Sequence, residues 1–137
     1  MVKCKQLQKG NETEKLVCEM FKKYGYWSHI LQKGKDGGQP CDVVAMKENI
    51  NWQIDAKHVE DEISFPFSRI ESNQITSMDY AMNFSKIKNL GFAIYFERFN
   101  KLYFMHFKKY LELKSQKRKS VRYDELVEME EVLNDRS

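Results

Sequence analysis

Asp42, Asp55 and Lys57 sit in the stretch GGQPCDVVAMKENINWQIDAKH, residues 37–58. Two short apolar runs, CDVVAM and WQIDAK, flank the polar turn KENIN, so the stretch reads as an antiparallel hairpin. Asp55 and Lys57 are two apart on a strand and therefore share a face. With a turn centred near Asn49, cross-strand positions sum to about 98, which sets Asp42 opposite Ala56, between Asp55 and Lys57. Two carboxylates held that close repel each other unless a cation stands between them. A hard divalent cation meets the need: Mg²⁺ takes oxygen ligands, asks for only one or two protein carboxylates, and leaves room for substrate phosphate. A lysine beside it can steer or deprotonate an attacking water, or stabilise charge developing on phosphorus. The set suits metal-assisted hydrolysis of a phosphodiester. The competing account of Asp55 and Lys57 alone is a surface salt bridge at a strand end. Asp42, set after a Gly-Gly-Gln-Pro loop and before Val-Val-Ala, favours the chemistry.

These residues need elements to position them. Asn11 followed by Glu14 reads as a capping box, and Leu16, Val17, Met20 and Phe21 then recur at helical spacing up to Gly25. Residues 26–32, YWSHILQ, read as a strand, and residues 33–40 as a glycine-bearing loop. After the hairpin, HVEDEISFPFSRI reads as an irregular connection, because Pro66 opposes regular structure. From Glu71 to Lys88 the pattern turns helical, with Ile75, Met78, Ala81, Met82 and Ile87 on one side. LGFAIYFERF and KLYFMHF, joined at Asn100, read as two strands. Lys109 to Lys114 reads as a short helix, and YDELVEMEEVLND as a charged C-terminal helix with Leu126, Met129 and Leu133 as its stripe. Helix, three strands, helix, two strands, helix is an α/β, or α+β, arrangement around a mixed sheet.

The chain has 137 residues and fits one domain with a sizeable core, expected over about residues 10–107. A basic segment, 108–122, and a charged helix, 123–135, follow. Lys108 to Arg122 holds seven bases and one acid; Asp124 to Asp135 holds six acids and no base. A polyanion would meet the first block and not the second; the plainer account is a solvated linker and helix. No apolar run is long enough to cross a bilayer, and the N-terminus is polar, so a cytosolic protein is expected. Cys4, Cys18 and Cys41 are odd in number and widely spaced, as for reduced thiols rather than a zinc site.

The pattern QPCDVVA…QIDAK resembles the PD-(D/E)XK nuclease signature, and the order of elements looks like the core of that superfamily. Within it the chain most resembles Holliday junction resolvases. GNETEKLV looks like the N-terminal helix of RecU-type resolvases, ISFPFSRIESNQITSM like the RecU segment in which Ser-Phe-Pro precedes a helix carrying a Gln, and GGQPCDVVA is closer to the archaeal resolvases. The resemblance implies a restriction-endonuclease-like fold and a Mg²⁺-dependent endonuclease, with Mn²⁺ able to substitute. It implies that Asp42, Asp55 and Glu14 hold the metal with help from the Ala56 carbonyl, that Lys57 serves the water, and that Gln74 stands near the site. It further implies branched DNA as substrate, a homodimer, and a bacterial or phage origin. A PD-(D/E)XK nuclease for other branched or linear DNA, or a non-catalytic DNA-binding module of the same fold, are the alternatives.

Phe65 and Phe67 flank Pro66 in the expected loop and are candidates to contact DNA, as are the cations Lys33, Lys35 and Arg69. His29, His58 and His106 are dispersed and read as structural. The aromatic residues of the last two strands read as core rather than as base-stacking platforms. Neither a Walker loop nor a Rossmann fingerprint is evident.

Overall fold

The computed structural model describes residues 2–32 and 41–135, with backbone alone for residues 2–10. Along the chain, α1 (Val2–Lys23) leads into an antiparallel run of β1 (Trp27–Ile30), β2 (Val43–Lys47) and β3 (Ile50–Val59). There follow β4 (Ser64–Pro66), α2 (Ser72–Asn83), β5 (Asn89–Phe96), β6 (Lys101–His106), α3 (Phe107–Ser115), β7 (Ser120–Arg122), β8 (Val127–Glu128) and α4 (Met129–Asn134). Six strands form one mixed sheet in the order β1-β2-β3-β5-β6-β8, and β4 pairs with β7 beside it. The β3–β5 pair is parallel, as its crossover through α2 requires, and the other pairs are antiparallel.

The sheet divides two apolar layers. On one face Val17 and Phe21 of α1 and Met129 and Leu133 of α4 pack with Val43, Ala45, Trp52 and Ile54. On the other, Met78 of α2 and Tyr110 and Leu113 of α3 pack with Phe92, Ile94, Phe96 and Val121. Strand β5 is covered on both sides, as is β3 around Ile54 and Asp55, whereas Asn51 at the start of β3 is exposed. β1 and β2 are covered mainly on the α1 side, where Ser28, Val43 and Ala45 are buried, while Trp27, His29 and Met46 on the other face are exposed. The helices α3 and α4 therefore lie on opposite faces.

Local chemistry explains most element ends. α1 closes with a Schellman pair, Tyr26 N to Phe21 O at 3.0 Å and Gly25 N to Lys22 O at 3.0 Å. Gly25 takes the left-handed φ of +86° that this closure needs. The helix starts well before Asn11, so that residue is not its cap: the Lys, Gln and Leu residues of the preceding segment are good helix formers, and the helix extends back across Gly10.

The other departures come from short edge pairings. Pro66 does not break regular structure but ends a three-residue strand, its ring placed where β4 pairs with only β7. The expected helix over 123–135 is three pieces: a 3₁₀ turn at Tyr123–Glu125, β8, and α4. Val127 pairs with Phe104 at the edge of the sheet. Leu126 packs into one apolar layer while Met129 and Leu133 enter the other, which one continuous helix cannot do. The basic segment 108–122 is not a linker, since it forms α3 and β7. Its charges are partly spent on the acidic block: Arg118 pairs with Glu125 at 2.6 Å and Arg122 with Asp124 at 3.1 Å. Among the described residues, no helix is long and apolar enough to cross a membrane.

Gly91 lies on β5 where the chain passes close to β6. A Cβ there would stand 2.2 Å from Met105 O and 2.9 Å from His106 Cα. Both are backbone atoms of the paired strand, so relief requires the β5–β6 pair to part. Gly91→Ala should therefore destabilise the protein by about 3 kcal/mol or more, read as a lowered denaturant midpoint in equilibrium unfolding.

Candidate active site

The site starts from the register of one hairpin. Lys47 pairs with Ile50 and Val43 with Ile54, so the turn has two residues, Glu48 and Asn49, with Glu48 at φ +53°. Paired positions therefore sum to 97 rather than the expected 98, which requires a three-residue turn. The ladder ends at Val43 and Ile54, and Asp42 follows as a bend just beyond it. Its side chain still meets Ala56, and its charge repels that of Asp55. Asp42 N donates to Ile54 O at 3.0 Å, and Ala56 N donates to Asp42 Oδ2 at 2.9 Å. Ala56 thus orients the carboxylate through its amide.

Asp55 is 1% exposed, and neither of its carboxylate oxygens has a hydrogen-bond partner among the described residues. A charge buried in that way is costly unless something balances it. Its pKa is pushed up to about 7, chiefly by burial and then by the neighbouring Asp42, with the charge of Lys57 opposing. Two adjacent acids, one with both oxygens unsatisfied, fit a divalent cation: a cation would lie against oxygen donors and would remove the repulsion that raises the pKa. The thiol of Cys41 beside them is pushed up to about 12 by burial and by Asp55, so it stays protonated and offers no thiolate.

Lys57 points to the same side. Its Nζ donates to Gln74 Oε1 at 2.9 Å and to Arg69 O at 3.3 Å. Burial lowers its pKa, and the two aspartates oppose that. Gln74 is fixed in turn, since its Oε1 also accepts from Glu71 N at 3.1 Å, at the start of α2. Helix α2 thereby holds the lysine against the carboxylates. Glu71 was not singled out from the sequence, yet its charge reaches both Asp55 and Lys57; its spacing of three before Gln74, as in a capping box, is the signal that marks it. Arg69 donates through Nη1 to His58 O, and its guanidinium lies 5.6 Å from the Phe65 ring centre.

The remaining sequence candidates fall elsewhere. Among the described residues no three His, Cys, Asp or Glu side chains gather as a metal group, so the hairpin acids form a pair that Glu14 does not join as a third. Glu14 is half-buried on α1. One turn further along, Cys18 Sγ meets Ser28 Oγ at 3.1 Å on β1. Because α1 and β1 run in opposite directions, Glu14 is carried toward the end of β1 where Leu31 N donates to Asp42 O at 2.8 Å. Phe65 and Phe67 are not loop aromatics open to a partner: Phe65 is fully buried and Phe67 nearly so, both in the α2–α3 layer. Lys33 and Lys35 lie outside the described residues. His58 points away from Lys57, with Nδ1 3.2 Å from Thr13 Oγ1 and Nε2 2.7 Å from Glu97 Oε2. Cys18 and Cys41 are free and buried, and Cys4 lies outside the residues whose side chains are described.

This mixed sheet, with its acid pair and lysine on a hairpin, is the PD-(D/E)XK type of fold. The structure superposes with a TM-score of 0.69 on the Holliday junction resolvase Hjc of the archaeal hyperthermophile Archaeoglobus fulgidus, at 15% identity over 90% of this chain and 99% of that one. Residues 36–136 match the family described as Recombination protein U. The chain belongs to that family, a family of Holliday junction resolvases. No curated protein matches it in sequence.

The raised pKa of Asp55 has a consequence for stability. Between its ordinary value of 3.8 and about 7, the folded state holds a proton that the unfolded state has released. The resulting stabilisation is fully present below about pH 4 and is lost as pH rises through about 7. Metal-free protein should therefore melt at a lower temperature at pH 8 than at pH 5, and Asp55→Asn should flatten this dependence and raise the melting temperature at pH 8. Adding Mg²⁺ at pH 8 should raise it for the wild type and leave Asp55→Asn nearly unchanged. Scanning calorimetry across pH checks all three.

Proposed function

We propose that this chain cuts four-way DNA junctions with a divalent cation, Mg²⁺ with Mn²⁺ able to substitute, held by Asp42 and Asp55. The observation that carries the reading is the buried Asp55 carboxylate, without a hydrogen-bond partner among the described residues and set against a second acid. When bound, the ion supplies Lewis-acid stabilisation of the charge that develops on the phosphate oxygens. Asp42, already oriented by Ala56 N, and Asp55 bind it; Glu14, implied as a third ligand by the family resemblance, would have to reach the pair from α1. The Ala56 carbonyl, implied as a ligand by the family resemblance, is the remaining protein donor for the ion.

Lys57 works beside the pair. Gln74 Oε1 and Arg69 O take two of the three N–H directions of its ammonium, which leaves the third to aim at a phosphate oxygen or a water. Its lowered pKa makes it a better proton acceptor near neutral pH than an ordinary lysine. Gln74 is a positioning residue for Lys57, and Arg69 can pair with a backbone phosphate. Two symmetric cuts across a junction need two such sites, which a twofold homodimer supplies.

Cleavage of a synthetic four-way junction, compared with linear duplex and a splayed fork, tests the reading. Paired symmetric nicks in the junction are expected with Mg²⁺ or Mn²⁺ and none with EDTA. Asp42→Asn and Asp55→Asn should abolish cutting and leave junction binding intact. Metal-dependent cutting of all three substrates would keep the nuclease and remove the junction specificity. Binding without cutting under any metal would leave a DNA-binding module.

Gln74→Ala frees Lys57 from its strongest contact. It should lower kcat about tenfold with little change in KM, the sign of a group that acts only by orientation. It should also shift the pH profile of kcat, which a purely structural loss would not do.

A further inference from the structure

The face that carries Asp42 and Asp55 does not end with them. Asp42, Val44 and Met46 alternate onto one side of the sheet, as do Asn51, Gln53 and Asp55. On β1, Trp27 pairs with Met46 and His29 with Val44, so both side chains stand on that same side. From the acid pair, the first step meets His29, Val44 and Gln53, and the second meets Trp27, Met46 and Asn51. Exposure grows along this path: Asp42 and Asp55 are buried, Val44 and Gln53 half-buried, and Trp27 is 58% and Met46 47% exposed. At its far end the Trp27 and His29 rings are stacked, with centroids 5.9 Å apart and planes 8° from parallel.

We propose that this strip is the nucleic-acid track leading to the acid pair, and that Trp27, backed by His29, is a platform on which an unpaired base of the substrate stacks. The proposal rests on the nuclease reading above and adds where the strand lies. Four observations carry it. The strip is continuous with the acid pair on one sheet face. Beyond that pair it holds no carboxylate, so nothing along it repels phosphates, while Asn51 and Gln53 offer amide donors. The indole is already held parallel to a second ring, so little ordering is lost when a base stacks on it. The two steps from Asp42 to Met46 span roughly 13 Å, the length of about four stacked nucleotides, so a base on Trp27 and a phosphate at the acids belong to one short run of strand. A protein strand adding to the edge of β1 is the competing occupant, but four residues give it few backbone groups to pair.

Trp27 and Trp52 are the two tryptophans, and Trp52 is 1% exposed in the core. Tryptophan emission therefore reports on Trp27 with a constant background. The experiment titrates the full-length Asp55→Asn protein with a four-way junction and with single-stranded DNA in EDTA, following emission and, separately, anisotropy of labelled DNA. Emission should fall as DNA saturates, and Trp27→Ala should weaken binding roughly tenfold, while Trp27→Phe keeps most of the affinity. Melting temperatures should match, because the side chain is exposed. DNA bound with unaltered emission, and with unchanged affinity in Trp27→Ala, overturns the track and leaves the nuclease reading intact. No DNA bound at all overturns both. Emission that changes with protein concentration in the absence of DNA gives the strip to a second copy of the chain and overturns the proposal.

Discussion

The structure turns on one buried carboxylate. Asp55 is placed where a strand position covered on both faces would take an apolar residue, and among the described residues its carboxylate oxygens have no hydrogen-bond partner. A fold of this size has a net stability of only about 5–15 kcal/mol, so such a group must be contained. The containment is visible. Trp52 and Ile54 bury the alternate face of β3 under α1, Phe92 flanks Asp55 on β5, and Lys57 is held close enough to oppose the repulsion from Asp42. The site is thus a place where packing energy from both layers holds charge in an unfavourable position, poised for a cation.

The support for Lys57 has the same logic one layer out. Gln74 serves the start of α2 and the lysine with a single oxygen. The helix that packs on β5 through Met78 is therefore also the device that aims the ammonium. On the opposite face, Thr13, His58 and Glu97 link α1, β3 and the β5–β6 connection through one imidazole. Both chains of contacts end on β3, within three residues of Asp55.

What could be read from the sequence follows from how long each signal is. The gathering of Asp42, Asp55 and Lys57 was legible because they break the apolar pattern of their strands. β5 and β6 were legible because eight and six residues with Phe, Ile and Tyr leave no other reading. The register was not, since a turn of two or three residues fits KENIN equally and shifts every pair from Val43 to Lys47 by one. β4, β7 and β8 have three, three and two residues, less than is needed to show an alternation. Pro66 hid the burial of its two phenylalanines, because the small β4–β7 pair that encloses them is joined by residues far apart in the chain. Trp27 was read as strand, but its exposure depends on which face of β1 the helices leave open, a tertiary fact.

The placement of α3 and α4 on opposite sides of the sheet has an electrical consequence. α3 carries Lys108, Lys109 and Lys114 against Glu112, on the side to which Asp42 and Asp55 point; α4 carries Glu130 and Glu131 on the other. The sheet acts as a divider, giving this pair of helices a dipole along its normal. On the α4 side that division is softened, because α1 carries six lysines against three glutamates and its Lys23 pairs with Glu130 at 2.7 Å. The bases of α3 therefore act at short range, within the roughly 10 Å reach of a field at 0.1 M salt.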